Sequence, residues 1–288
     1  MNKFWRLFSK IRIHPLLWVI IGLGIATGFF WELLILFTIV FIHELGHAAM
    51  AQHFNWKIKQ IVILPFGGFC DVDEHGNRSM KEDLFVILAG PAQHIIIACL
   101  VPLFQMTGIL SNEYGEIITR YNLMILFFNL LPIRPLDGGK IIHLLLSVYK
   151  PYLQSFQLSL ISSSLILVIF HILILVLSPL NLNIWLILLY LDICLWSEWK
   201  QQRYIFMRFL LERYYGRNED FSQLKTLNAS GEDYLYQVLI RFNRGCKHLI
   251  DIGGEFGQAK LDENEILHAY FTEKRVRAQL KDLVYDQE

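Results

Sequence analysis

Two histidines and a glutamate stand where they could hold a zinc ion and work on a water molecule, in the stretch Phe41-Ile42-His43-Glu44-Leu45-Gly46-His47. On a helix, His43 and His47 are one turn and about 40° apart, so both imidazoles can reach one ion. Glu44 sits beside them, placed to take a proton from water whose pKa a zinc ion has lowered to about 7. The surroundings sharpen the reading. The motif lies in an apolar run, and ionisable groups at membrane depth are costly enough to imply a function.

A catalytic zinc site uses three protein ligands and keeps one position open. His53 follows His43 by ten residues, but zinc helices that use this offset need a glycine three residues after the second histidine, and Met50 stands there. On a continued helix His53 points roughly 80° away from His43, so a surface place is expected for it. Asp137 is the better third ligand. In Leu136-Asp137-Gly138-Gly139 two glycines allow a tight bend, and Pro132 and Pro135 prevent a regular helix just before it. Such irregular backbone is tolerated at membrane depth only where it lines a cavity or is buried in protein. Asn129, eight residues earlier, either donates to a substrate carbonyl or developing oxyanion or makes an interhelical hydrogen bond.

The elements that must position these groups are membrane spans. Of the 288 residues 54% are apolar and only 18% charged, below the quarter usual in soluble domains. The formal net charge of +0 gives no field that would draw nucleic acid. Apolar runs of suitable length predict six spans, near residues 15–31, 33–53, 83–107, 119–133, 156–178 and 182–198. The fourth is short and runs into prolines, as a broken span would.

Basic residues fall in alternate connections: Lys3, Arg6, Lys10 and Arg12; then Lys57, Lys59, Arg78 and Lys81; then Arg134, Lys140 and Lys150; then Lys200, Arg203, Arg208, Arg213 and Arg217. The positive-inside rule therefore puts both termini in the cytosol and His43, His47 and Asp137 toward the cytosolic leaflet. The basic loops can meet lipid headgroups of the bilayer.

Residues 57–74 read as a short β-hairpin beside the membrane. Lys57 to Leu64 is rich in β-branched residues, Pro65, Gly67 and Gly68 make a turn, and Phe69 to Asp73 returns. Its edge could receive an unwound substrate segment as an added strand, or it is a plain connection. Three segments are expected: a membrane domain over 1–198, a linker helix over 199–226, and a small cytosolic α/β domain over 227–288. Cys70, Cys99, Cys194 and Cys246 are scattered and suit a reducing compartment.

The paired motifs resemble the site-2 protease family of intramembrane zinc metalloproteases. That family combines H-E-x-x-H in one span with N-x-x-P-x-x-x-L-D-G in a later one, and residues 129–138 read Asn129-Leu130-Leu131-Pro132-Ile133-Arg134-Pro135-Leu136-Asp137-Gly138. Leu88-Ala89-Gly90-Pro91-Ala92-Gln93-His94 resembles its intervening G-P motif, with His94 where asparagine is usual. The resemblance covers residues 14–198. It implies a polytopic helical fold, Zn2+ bound by His43, His47 and Asp137, and Glu44 as the catalytic acid/base.

Residues 227–270 look like a single CBS module, which implies an adenine nucleotide such as ATP and pairing into a homo-oligomer through the tail. The S/T-x-x-D usual at its last helix reads Asp262-Glu263-Asn264-Glu265. A CBS-tailed member of this family in endospore-forming bacilli implies a membrane-associated pro-sigma factor as substrate. It also implies membrane-protein regulators and a place in the mother-cell membrane around the forespore. A zinc transporter or metal sensor is the competing reading. It needs a line of ligands across several spans, for which spans five and six offer only His171, Asp192 and Glu198.

Overall fold

The computed structural model describes residues 11–13, 15–64, 67–72, 78–216, 224–253 and 259–285. Lys3, Arg6, Lys10, Pro65, Asp73 and Arg217, which entered the expectations above, lie outside the described residues. So do residues 254–258 of the expected CBS module.

The described residues open with β1 (Ile11–Ile13) and α1 (Pro15–Thr27), followed by α2 (Phe30–His53). A strand pair follows, β2 (Ile58–Leu64) and β3 (Gly67–Val72). Helices α3 (Met80–Met106), α4 (Asn112–Asn129), α5 (Asp137–Tyr149), α6 (Tyr152–Leu177) and α7 (Leu182–Tyr215) come next. The C-terminal part runs β4 (Leu224–Ser230), α8 (Leu235–Leu239), β5 (Lys247–Gly253), β6 (Ala259–Asp262), α9 (Glu263–Phe271) and α10 (Leu280–Tyr285).

Among the described residues, α2, α3, α6 and α7 are long and apolar enough to cross a membrane. The other two expected spans differ in character. α1 is apolar but short. α4 starts seven residues earlier than expected and carries Glu113, Glu116 and Arg120 in its first half, which lowers its apolar character. α7 exceeds its expected end at 198 because nothing between Leu182 and Tyr215 is glycine or proline. At 1.5 Å per residue its 34 residues reach about 51 Å, more than the roughly 30 Å of hydrocarbon. The edge expected at residue 198 thus falls inside one helix, and β4 begins within the stretch expected to be linker.

Two compact units divide the chain. The first holds α1, α2, β1–β3, α3, α4 and the start of α5 (Leu136–Ile141). Buried positions on α2 recur as Ile39, Val40, His43, Glu44, His47, Ala48 and Ala51, the stripe expected of one helix face. Gly46 lets the backbones of α2 and α3 approach: a Cβ there would stand 2.5 Å from the Ala89 carbonyl oxygen. Close approach of this kind holds helices together in lipid, where apolar burial gives no net drive.

The expected strand pair is present and antiparallel, from Ile58↔Val72 to Leu64↔Gly67. Gly67 and Gly68 belong to β3 rather than to the turn. β1 pairs parallel with the far edge of β2 through Ile11↔Ile61 and Ile13↔Ile63, so β2 is the middle strand and β3 an outer one. Ile58 packs with Ala48, Ala51 and Trp56, and Trp56 Nε1 donates to Glu82 at 2.9 Å.

The second unit contains the rest of α5, α6, α7 and the C-terminal segment. Along α6, Ser155, Ser159 and Ser163 are fully buried. Their hydroxyls donate to carbonyls of their own helix, which satisfies them in apolar surroundings. In the C-terminal sheet β4 pairs parallel with β5, and β5 antiparallel with β6.

The core of that sheet includes Phe206, Phe209 and Leu210 of α7. A buried clasp fastens the two together. Arg213 donates to both oxygens of Glu263 and to the carbonyls of Asn243 and Cys246. Glu263 also accepts from the backbone N–H of His248 at 2.8 Å and from its Nδ1 at 2.9 Å.

The clasp makes the tail acid-sensitive. Burial lowers the His248 pKa below its ordinary value despite the Glu263 carboxylate beside it. Its Nε2 accepts from the Asn243 N–H at 3.0 Å, so a proton there would face another donor. Burial favours a neutral Glu263, but His248 and Arg213 outweigh it and lower its pKa. For both groups the unfolded chain binds a proton that the native tail refuses, so stability falls as pH drops. The loss begins near pH 6.5 with His248 and continues below about 4.5 with Glu263. Limited proteolysis of the detergent-solubilised chain should cut the tail faster at pH 5.5 than at pH 7.5, and equal rates would contradict this account.

Candidate metal centre

His43 and His47 lie on the buried stripe of α2, and Asp137 opens α5. All three are buried. Their ligand atoms form a nearly equilateral triangle: His43 Nε2 to His47 Nε2 is 3.1 Å, and each is 3.1 Å from Asp137 Oδ2. Tetrahedral ligands about 2.0–2.1 Å from a zinc ion stand roughly 3.3–3.4 Å apart, so the triangle has the size of one face of such a site. The donor set agrees. His47 Nδ1 lies 2.7 Å from the Val86 carbonyl oxygen; a carbonyl only accepts, so the hydrogen is on Nδ1 and Nε2 presents a lone pair. Lone pairs and a carboxylate oxygen converging in a buried place call for a cation.

Three local features bring Asp137 there. α4 ends at Asn129, before Pro132 and Pro135. Gly138 then passes the end of α4 closely: a Cβ on it would stand 2.2 and 2.4 Å from the carbonyl oxygens of Leu130 and Leu131. Asp137 stands in the first turn of α5, where the helix dipole favours negative charge. Its second oxygen, Oδ1, accepts from Lys140 Nζ at 2.9 Å, which turns Oδ2 toward the histidines.

Gly90 of α3 lies against the Nε2–Cε1 edges of the imidazoles. A Cβ there would stand 2.3 Å from His47 Nε2 and 2.8 Å from His43 Cε1. Gly90→Ala should therefore displace both rings, lower the zinc content of the purified protein and cut cleavage by about 100-fold, the scale of a 1 Å misplacement. Full zinc occupancy in that variant, measured by elemental analysis, would show that this contact has room to give.

Glu44 is buried on the same face of α2. His94 approaches His43 Nδ1 at 3.0 Å, a partner the sequence reading left unassigned. Asn129 is half-buried at the end of α4, and its Nδ2 donates to its own helix at the Ile125 carbonyl, 3.1 Å away. His53 is exposed at the end of α2, against Phe54, which agrees with the surface place expected for it.

Residues 31–112 match Peptidase family M50. Over 286 residues, 99% of either chain, the sequence is 45% identical to Stage IV sporulation protein FB of Bacillus subtilis (strain 168). The chain belongs to the site-2 protease family, M50. The zinc metalloprotease MJ0392 of Methanocaldococcus jannaschii is 36% identical over 214 residues, 69% of this chain and 60% of that one. The solved structure of the site-2 protease from Methanocaldococcus jannaschii aligns with a TM-score of 0.53 at 30% identity, covering 65% of this chain and 89% of that chain. Family membership makes the chain a membrane metalloendopeptidase of the site-2 type. The buried His43, His47 and Asp137 group, the one metal-ligating cluster found among the described residues, fits Zn2+.

Proposed function

We propose that this chain hydrolyses a peptide bond of a membrane-associated protein near the cytosolic leaflet. In this reading His43, His47 and Asp137 hold Zn2+, and Glu44 is the acid and base. The observation that carries it is the buried 3.1 Å triangle beside a buried glutamate. Zn2+ bound there supplies a Lewis acid and lowers the pKa of water to about 7. Glu44 accepts the proton of the attacking water and returns it to the leaving amine. Asn129 is assigned to the substrate carbonyl: one Nδ2 hydrogen is given to Ile125, and the amide has a second to give.

Counting α1 and α4 as crossings completes six spans with both termini cytosolic, a reading supported by the alternation of basic loops. β3 offers an outer strand to which an unwound substrate could add. The β-α-β-β-α order from β4 to α9 supports a single CBS-like module. An adenine nucleotide such as ATP is the ligand class assigned to it, with a second copy of the chain as its pairing partner.

Kinship with Stage IV sporulation protein FB over 99% of both chains supports the narrower reading. It comprises sporulation, a pro-sigma factor substrate, membrane-protein regulators, and the mother-cell membrane around the forespore. The transport reading gains no support from a line of ligands: among the described residues the one cluster that could hold a metal is His43, His47 and Asp137, while His171 pairs with Asp192 and Glu198 with Arg134.

Co-expression with candidate membrane-associated precursors, a pro-sigma factor among them, tests the proposal. One shortened product is expected, lost on treatment with a permeant zinc chelator. Failure with every pro-sigma precursor removes the sporulation reading, and a product indifferent to chelation removes the zinc reading.

A further inference from the structure

Behind His43 runs a buried chain of hydrogen bonds that the catalytic scheme does not use. Asn122 Nδ2 lies 2.9 Å from the backbone carbonyl oxygen of His94. Only the NH2 end of the amide can serve a carbonyl, so the amide orientation is settled, and Asn122 Oδ1 faces His94 Nδ1 at 2.7 Å. An amide oxygen only accepts, which places the hydrogen of His94 on Nδ1. Its Nε2 then carries a lone pair, 3.0 Å from His43 Nδ1. The hydrogen of His43 therefore sits on Nδ1, and its Nε2 lone pair points at the triangle with His47 and Asp137. His94 and Asn122 are each 1% exposed, so water offers neither of them a competing partner.

We infer that His94 and Asn122 are positioning residues that lock the ring orientation and hydrogen placement of His43 so that its Nε2 binds the metal. The inference rests on the zinc reading of His43, His47 and Asp137. His47 reaches the same state in one step, through the Val86 carbonyl. His43 has no carbonyl in that place and uses a two-residue relay from α3 and α4. An asparagine at 94, as the family motif has it, carries its polar atoms closer to the backbone than the far ring nitrogen of histidine. The longer side chain spans the gap, and Asn122 supplies the orientation that an amide would have had by itself. Partners of this kind set ligand direction and basicity, and losing one costs about 10–100-fold in metal affinity.

The test uses the detergent-solubilised full chain with Zn2+ in chelator competition and Co2+ as a spectroscopic probe. His94→Phe keeps an aromatic ring but removes the acceptor. It should weaken Zn2+ binding by about 10–100-fold and alter the Co2+ d–d absorption. His94→Gln returns an acceptor oxygen to His43 and should recover most of the loss, which a merely structural role would not predict. Asn122→Leu leaves His94 in place and should weaken binding in the same direction. Wild-type affinity in His94→Phe or Asn122→Leu overturns the relay, as does a His94→Gln no better than His94→Phe. A wild type that binds no Zn2+, or an Asp137→Asn that binds as tightly as wild type, overturns the metal reading and the relay with it.

Discussion

Glu44→Gln is expected to keep its zinc and lose cleavage. Glutamine has nearly the shape of glutamate, so the buried face of α2 is preserved and the neighbouring His43 and His47 stay where they are. The amide cannot accept a proton from water at neutral pH. General acid–base assistance contributes about 10²–10⁴-fold, and cleavage of a co-expressed precursor should fall by that range. Elemental analysis of the purified variant should return the zinc content of the wild type. A variant that cleaves at the wild-type rate would leave Glu44 without a role in the reaction and favour a scaffold reading of the chain.

Asp137→Asn should fail differently, losing metal as well as turnover. The aspartate is the sole anion in the triangle, and its two oxygens have separate duties: Oδ2 toward the histidines and Oδ1 on Lys140. Asparagine is uncharged, and with its oxygen toward the histidines its NH2 would face the Lys140 ammonium, two donors in contact. Rotating the amide satisfies Lys140 and turns the donor end toward the metal position. Either arrangement costs more affinity than the roughly 10–100-fold attached to an outer-shell partner. Chelator competition reads that loss directly. If Asp137→Asn held zinc as tightly as wild type, the third ligand would have to be sought elsewhere.

The two variants separate jobs that the geometry keeps apart. Glu44 lies next to the ligands on one helix and can be silenced without disturbing them. Asp137 lies about ninety residues away and completes the site only because α4 stops and Gly138 lets α5 begin tightly against it. Cleavage alone would not tell these failures apart; zinc content does.

Much of the site was legible along the chain, and the reason is geometric. The spacing of His43 and His47 is set by the helical repeat, which needs no tertiary information. The bend that brings Asp137 forward is encoded by Pro132, Pro135, Gly138 and Gly139, each acting on its own backbone. Strands β2 and β3 were visible for a similar reason, since a β-branched run and the turn residues after it are local properties, although Gly67 and Gly68 joined β3 instead of the turn. Tertiary structure decided the rest. β1 lies some fifty residues from its partner β2, and three residues are too few to announce a strand. Gly90 stood out in the chain only as part of the Gly90-Pro91 motif; that it lies against the imidazoles, with no room for a side chain, is decided by how α2 and α3 pack. His94 and Asn122 are 28 residues apart on different helices, and whether two such groups meet depends on how α3 and α4 pack. The Arg213, Glu263 and His248 clasp joins residues as much as 50 positions apart. Short-range rules of helix, turn and strand thus picked out His43, His47 and Asp137 as candidate ligands, whereas their convergence, their orientation and the anchoring of the tail follow from contacts that exist only once the helices have packed.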